Sequence, residues 1–128
     1  MSEDSPKPRV YVDLPDKGEW EEDYLVQAIE YARGRMWSAD IWHPQDALVD
    51  RSGGSTRLYR NQRFDPAYFD LVRAGWTHDH CDICWATLVD QDNGASSEGT
   101  WLCTYCYEHF IKPDAYRPWF GQLKRVRR

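Results

Sequence analysis

No stretch of this sequence approaches the roughly 20 consecutive apolar residues that a bilayer-spanning helix requires, so no membrane segment is expected. The first residues, Met1-Ser2-Glu3-Asp4-Ser5-Pro6, are acidic and lack an apolar h-region, so they do not read as a secretory signal. A cytoplasmic chain with reduced thiols is the expectation. Between residues 77 and 111 there is no lysine or arginine against six acids, a poor surface for a phosphate backbone. No Ser/His/Asp set, phosphate loop or dinucleotide fingerprint occurs, and Gly53-Gly54 is a turn signal rather than a cradle. Internal repeats and long linkers are missing too. These absences argue against an enzyme and for one domain.

What is present is rich in rings. Aromatics make up 15% of the 128 residues, with seven tryptophans and eight tyrosines, too many for all to be buried in so small a core. The net charge of −5 is laid out in blocks. Residues 1–50 hold 12 acids and 5 bases, and residues 51–76 hold 2 and 5. Residues 77–111 hold 6 acids alone, and residues 112–128 hold 1 acid and 6 bases. Acidic blocks of this kind steer a basic protein partner toward the chain.

Residues 1–8 read as a polar, disordered leader. Arg9-Val10-Tyr11-Val12-Asp13-Leu14 alternates as a strand that Pro15 ends. A helix is predicted over about residues 20–35, with Asp16 and Glu19 spaced as a capping box. Its apolar face is Tyr24, Leu25, Ala28, Ile29, Ala32 and Met36, with Arg33 and Arg35 at the negative end and Gly34 as the stop. Ile41-Trp42-His43-Pro44 reads as extended. Ala47-Leu48-Val49 and Thr56–Arg60 read as strands about the loop Arg51–Ser55. Asp65-Pro66 is predicted to open a second helix carrying Tyr68, Leu71 and Val72, with Gly75 as its left-handed stop. The expected fold is α+β. A small sheet and two helices fill residues 9–121, a metal module is embedded at 75–112, and 122–128 form a basic tail.

The only cysteines are Cys81, Cys84, Cys103 and Cys106, two Cys-x-x-Cys pairs separated by eighteen residues. Two residues between thiolates let a tight turn offer both sulfurs to one tetrahedral ion, and a second pair completes the shell. Spacing, reducing compartment and the absence of a leftover cysteine favour a structural Zn2+ over disulfides. Trp85–Val89 and Thr100–Leu102 read as two strands across the polar connection 90–99, and Tyr105–Ile111 as a helix up to Pro113. Knuckle, hairpin, helix resembles the treble-clef zinc fold; a strand in the last place would make a plain zinc ribbon. His78 and His80 are expected to support the site by hydrogen bonding, and His109, three residues after Cys106, is a substitute ligand candidate. His43 before Pro44 reads as structural.

Treble-clef modules also occur in HNH nucleases. Those need an open metal position and further His or Asn ligands, and no such pair follows Cys106. The stretches Gly75–Trp85 and Trp101–Glu108 resemble a signature of small bacterial proteins associated with the immunity partners of polymorphic toxins. That resemblance spans about a quarter of the chain and does not extend to residues 1–70. It implies a cytosolic antidote that caps a basic toxin. The interface expected for such a partner comprises Glu19, Glu21, Glu22, Asp23, Asp79, Asp82, Asp90 and Asp92, anchored by Trp42 and Trp85. The alternative is a nucleic-acid binder or regulator using Lys124-Arg125-Val126-Arg127-Arg128, with Tyr116, Trp119 and Phe120 nearby.

Overall fold

The computed structural model describes residues 9–128; the leader expected at 1–8 lies outside the described residues. Strand β1 (Val10–Leu14) buries Val12 and Leu14 on one face, as its alternation predicts. Asp16 and Gly18, both at positive φ, turn the chain into β2 (Gly18–Glu21), antiparallel to β1. Asp16 is therefore a turn residue rather than a helix cap. Helix α1 (Glu22–Arg33) begins later than expected and has no side-chain cap; Glu22 and Asp23 in its first turn complement the dipole. Leu25, Ile29 and Ala32 form its buried stripe, whereas Met36 lies past the helix and is 92% exposed.

Strand β3 (Ser38–Ile41) leads through the buried Trp42 to β4 (Gln45–Asp50) and β5 (Thr56–Leu58), which pair antiparallel about the expected loop. The second helix does not form. Asp65 closes one turn, its carbonyl accepting from the N–H groups of Tyr68 and Phe69, and β6 (Phe69–Trp76) follows. Phe69 and Leu71 alternate in burial with Asp70 and Val72, a period of two that the open edge of β4 rewards with ladder hydrogen bonds. The left-handed residue is Ala74, not Gly75, and its N–H donates to Asp46 Oδ1 at 3.0 Å beside a register shift in the ladder. Among the residues of this three-stranded sheet only Ala47 and Leu48 are buried hydrophobics, and none from 43 to 75 joins the main core.

Short strands β7 (Asp79–His80) and β8 (Thr87–Leu88) pair as a stem around the first cysteines. The partner of β10 (Thr100–Cys103) is not 85–89 but β9 (Asn93–Ser97), which lies inside the supposed connection and also pairs with β3. Glu98 and Gly99, both at positive φ, make the two-residue turn whose twist suits a hairpin. Helix α2 (Thr104–Cys106) continues as a π-helical turn (Tyr107–Ile111), then comes α3 (Arg117–Phe120). The basic end is not a free tail: β11 (Arg125–Arg127) pairs with β1 on the side opposite β2. The fold is α+β, with one core running from β1 and α1 through Trp42 to the cysteines, Phe110, Tyr116 and Phe120. Among the described residues no helix is long and apolar enough to cross a membrane.

Candidate metal centre

The first pair of cysteines sits in a tight knuckle. The Cys81 N–H donates to Ala86 O at 2.8 Å, and the Trp85 N–H donates back to Cys81 O at 2.9 Å. The Ile83 N–H points at Cys81 Sγ, 3.4 Å away. Closing so small a loop puts Trp85 at a φ of 62°. The second pair straddles a strand-to-helix junction, where the Cys106 N–H faces Cys103 Sγ at 3.5 Å. The order knuckle, hairpin, helix is thus the one expected of a treble clef.

All four sulfurs are buried and lie within 4.8 Å of one another. The Cys84–Cys103 separation is 3.6 Å. A disulfide needs about 2.05 Å, and none forms among the four. A tetrahedron with metal–sulfur bonds of about 2.3 Å has an edge of about 3.8 Å, so the donors fit a soft divalent ion. Hydrogen bonds from Cys106, Cys81 and Cys84 hold Cys103 well below the ordinary thiol range, while the bonds to Cys103, Cys81 and Cys84, and after them burial, push Cys106 well above it. A divalent ion at the centre would take thiolates from all four residues and displace their protons. Lys17 faces the cluster; burial pulls its ammonium down, but the negative sulfurs outweigh that and its pKa is raised.

Arg33, read from sequence only as a dipole partner, ties α1 to this module. Its guanidinium donates to the carbonyls of Phe110 (2.7 Å), Ile111 (3.4 Å), Pro113 (3.0 Å) and Asp114 (2.6 Å), the otherwise orphaned end of the π-helical turn. Gly94 pairs with Cys103, and a Cβ there would lie 2.6 Å from Leu102 O and 2.9 Å from Leu88 Cδ2. A glycine in a strand signals such close approach, although here it lay hidden in a polar run.

Among the described residues no histidine joins the ligand group. His80 Nδ1 lies 3.2 Å from Trp85 O and steadies the knuckle backbone, and His78 meets Thr77 Oγ1 at 3.2 Å. His109 turns away to stack on Trp119, 4.2 Å between centroids. His43 meets Asp90 at 3.2 Å.

The expected interface residues separate into two groups. Trp42 is a correction: it is fully buried, its indole donating to Asp79, and anchors the core rather than a partner. Asp79 has both oxygens occupied, by Trp42 (2.9 Å) and Trp76 (3.2 Å), and Asp92 caps the Val89 N–H at 2.8 Å. Glu19, Glu21 and Glu22 are paired with Arg128 (2.7 Å), Arg9 (3.5 Å) and Arg125 (2.7 Å). Through Arg125 and Arg128 the basic end of the chain therefore folds onto Glu22 at the start of α1 and Glu19 of β2, a neutralisation between distant blocks that no local pattern announces. Asp23, Asp82 and Trp85 remain exposed. The sequence matches no protein-family model and no curated protein, and the fold matches no solved structure.

Proposed function

We propose that this chain is a non-catalytic, zinc-stabilised module that binds a basic protein, and within that reading an immunity partner that neutralises a toxin. The four buried sulfurs within 4.8 Å of one another carry it. An all-thiolate shell of this size suits zinc, leaves no open position for a water nucleophile, and acts as scaffold. A reducing, cytoplasmic compartment suits thiolates that must stay unoxidised. The acid-only segment 77–111, with Trp85 at its surface, supports a cationic partner over a phosphate backbone. The immunity role draws on the residues flanking the cysteines alone. The nucleic-acid alternative loses support because Arg125 and Arg128 are engaged by Glu22 and Glu19.

Elemental analysis of the purified protein tests the scaffold: one zinc per chain is expected, and chelation should melt the core, since structural zinc supplies on the order of 10 kcal/mol or more. Absence of stoichiometric metal overturns it. Discovery of a toxin gene beside this chain, with growth restored when the two are co-expressed, would support the immunity role, and salt-sensitive binding to random oligonucleotides instead would favour the alternative.

A further inference from the structure

We propose that the cleft between α1 and the knuckle seats a lysine or arginine side chain of a basic protein partner. The proposal rests on the binding-module reading and names where that binding occurs. The cleft holds about 270 Å³, with Tyr24, Tyr31 and Asp82 as walls around Ala28. Tyr24, Ala28 and Tyr31 recur at helical spacing, so one face of α1 offers two rings with a small residue between them. Trp85 stands at the Tyr24 end, its Nε1 donating to Tyr24 Oη at 2.7 Å. Tyr24 in turn stacks on Trp20, with centroids 5.7 Å apart. The rings are positioned before any ligand arrives.

The backbone adds an independent observation. At a φ of 62°, Trp85 occupies a conformation that glycine takes freely and a bulky residue takes at a steric cost. A tryptophan stands there nonetheless, 58% exposed and outside the core. Tyr31 is 71% exposed, so both rings offer a face to a ligand. The Asp82 carboxylate joins none of the ion pairs among the described residues. Arg35, the base whose charge acts on it, is engaged by Ser97 O at 2.9 Å and by the Trp37 ring at 5.6 Å. Aromatic faces beside a free carboxylate form a receptor for a cation on a flexible stem.

The test titrates short oligoarginine and oligolysine peptides into the zinc-loaded chain, followed by amide and indole N–H resonances. The Trp85 indole and the Asp82 amide should move. Trp85→Gly, Tyr31→Ala and Asp82→Asn should each weaken binding about fivefold, with zinc content unchanged. Trp85→Gly relieves the backbone, so its loss of binding is not a loss of fold. Unchanged affinity in all three variants overturns the proposal. So does an equal response to an oligoglutamate peptide, or cleft signals that move with protein concentration alone, as a second copy would cause. Peptide binding mapped to the start of α1 overturns the cleft while leaving the basic-partner reading standing. No binding anywhere overturns both.

Discussion

The Trp42 indole donates to Asp79 Oδ2 across 37 residues of sequence, at 2.9 Å, and the Trp76 indole takes the other oxygen. One carboxylate thereby holds two rings at the root of the stem that carries the first cysteine pair. Asp79→Ala strands both indole donors and should cost about 2–3 kcal/mol. Asp79→Asn keeps one good acceptor and should cost less. Urea denaturation at saturating zinc checks the order.

Arg33 links the N-terminal helix to the metal module through the carbonyls of Phe110 and Pro113. Arg33→Ala should destabilise the chain by about 2–3 kcal/mol and speed metal loss to a chelator. Arg33→Lys should recover only part, because an ammonium cannot present the planar fork that reaches several acceptors at once. Chelator-challenge kinetics with a chromogenic dye separate the three proteins.

Gly94→Ala should separate β9 from β10 and shift Cys103. With backbone oxygen 2.6 Å from the added carbon, the strand must move, at about 1–3 kcal/mol, and zinc affinity should fall with stability. Thermal melting with and without added zinc measures both.

Tyr116 supplies a pH prediction. Burial, and then its 2.7 Å hydrogen bond to Glu30, raise its pKa to about 12. The folded value lies above the ordinary tyrosine value of about 10, so this stabilisation is complete below pH 10 and is lost as pH climbs through about 12. Ultraviolet titration of phenolate should find Tyr116 among the last tyrosines to ionise, and Glu30→Gln should lower its midpoint.

The metal module was legible because chelation is local: a thiolate pair needs its spacing within a turn, and the sequence shows it directly. The helix at Glu22–Arg33 and the 45–58 hairpin were legible from periodicity and turn chemistry. Elsewhere local signals misled. Asp65-Pro66 carries a helix-start signature, yet one turn satisfies it and the free edge of β4 claims the rest. Glu98-Gly99 is a weaker hairpin signal than Asn-Gly, so β9 was missed. Trp42 looked like an anchor because its acceptor lies far along the chain, and the ion pairs that quiet Glu19 and Glu22 come from about a hundred residues away.

The three-stranded sheet of residues 45–76 carries little of the molecule's buried apolar surface, with Ala47 and Leu48 its only fully covered hydrophobics. Elements so sparsely packed open at lower free energy than the whole. Of the seven tryptophans only Trp76, at the last residue of β6, belongs to this arm. Intrinsic fluorescence therefore watches the zinc core and is nearly blind to the arm. A melting curve recorded that way reports a single transition while the arm's amides exchange with deuterium well before it.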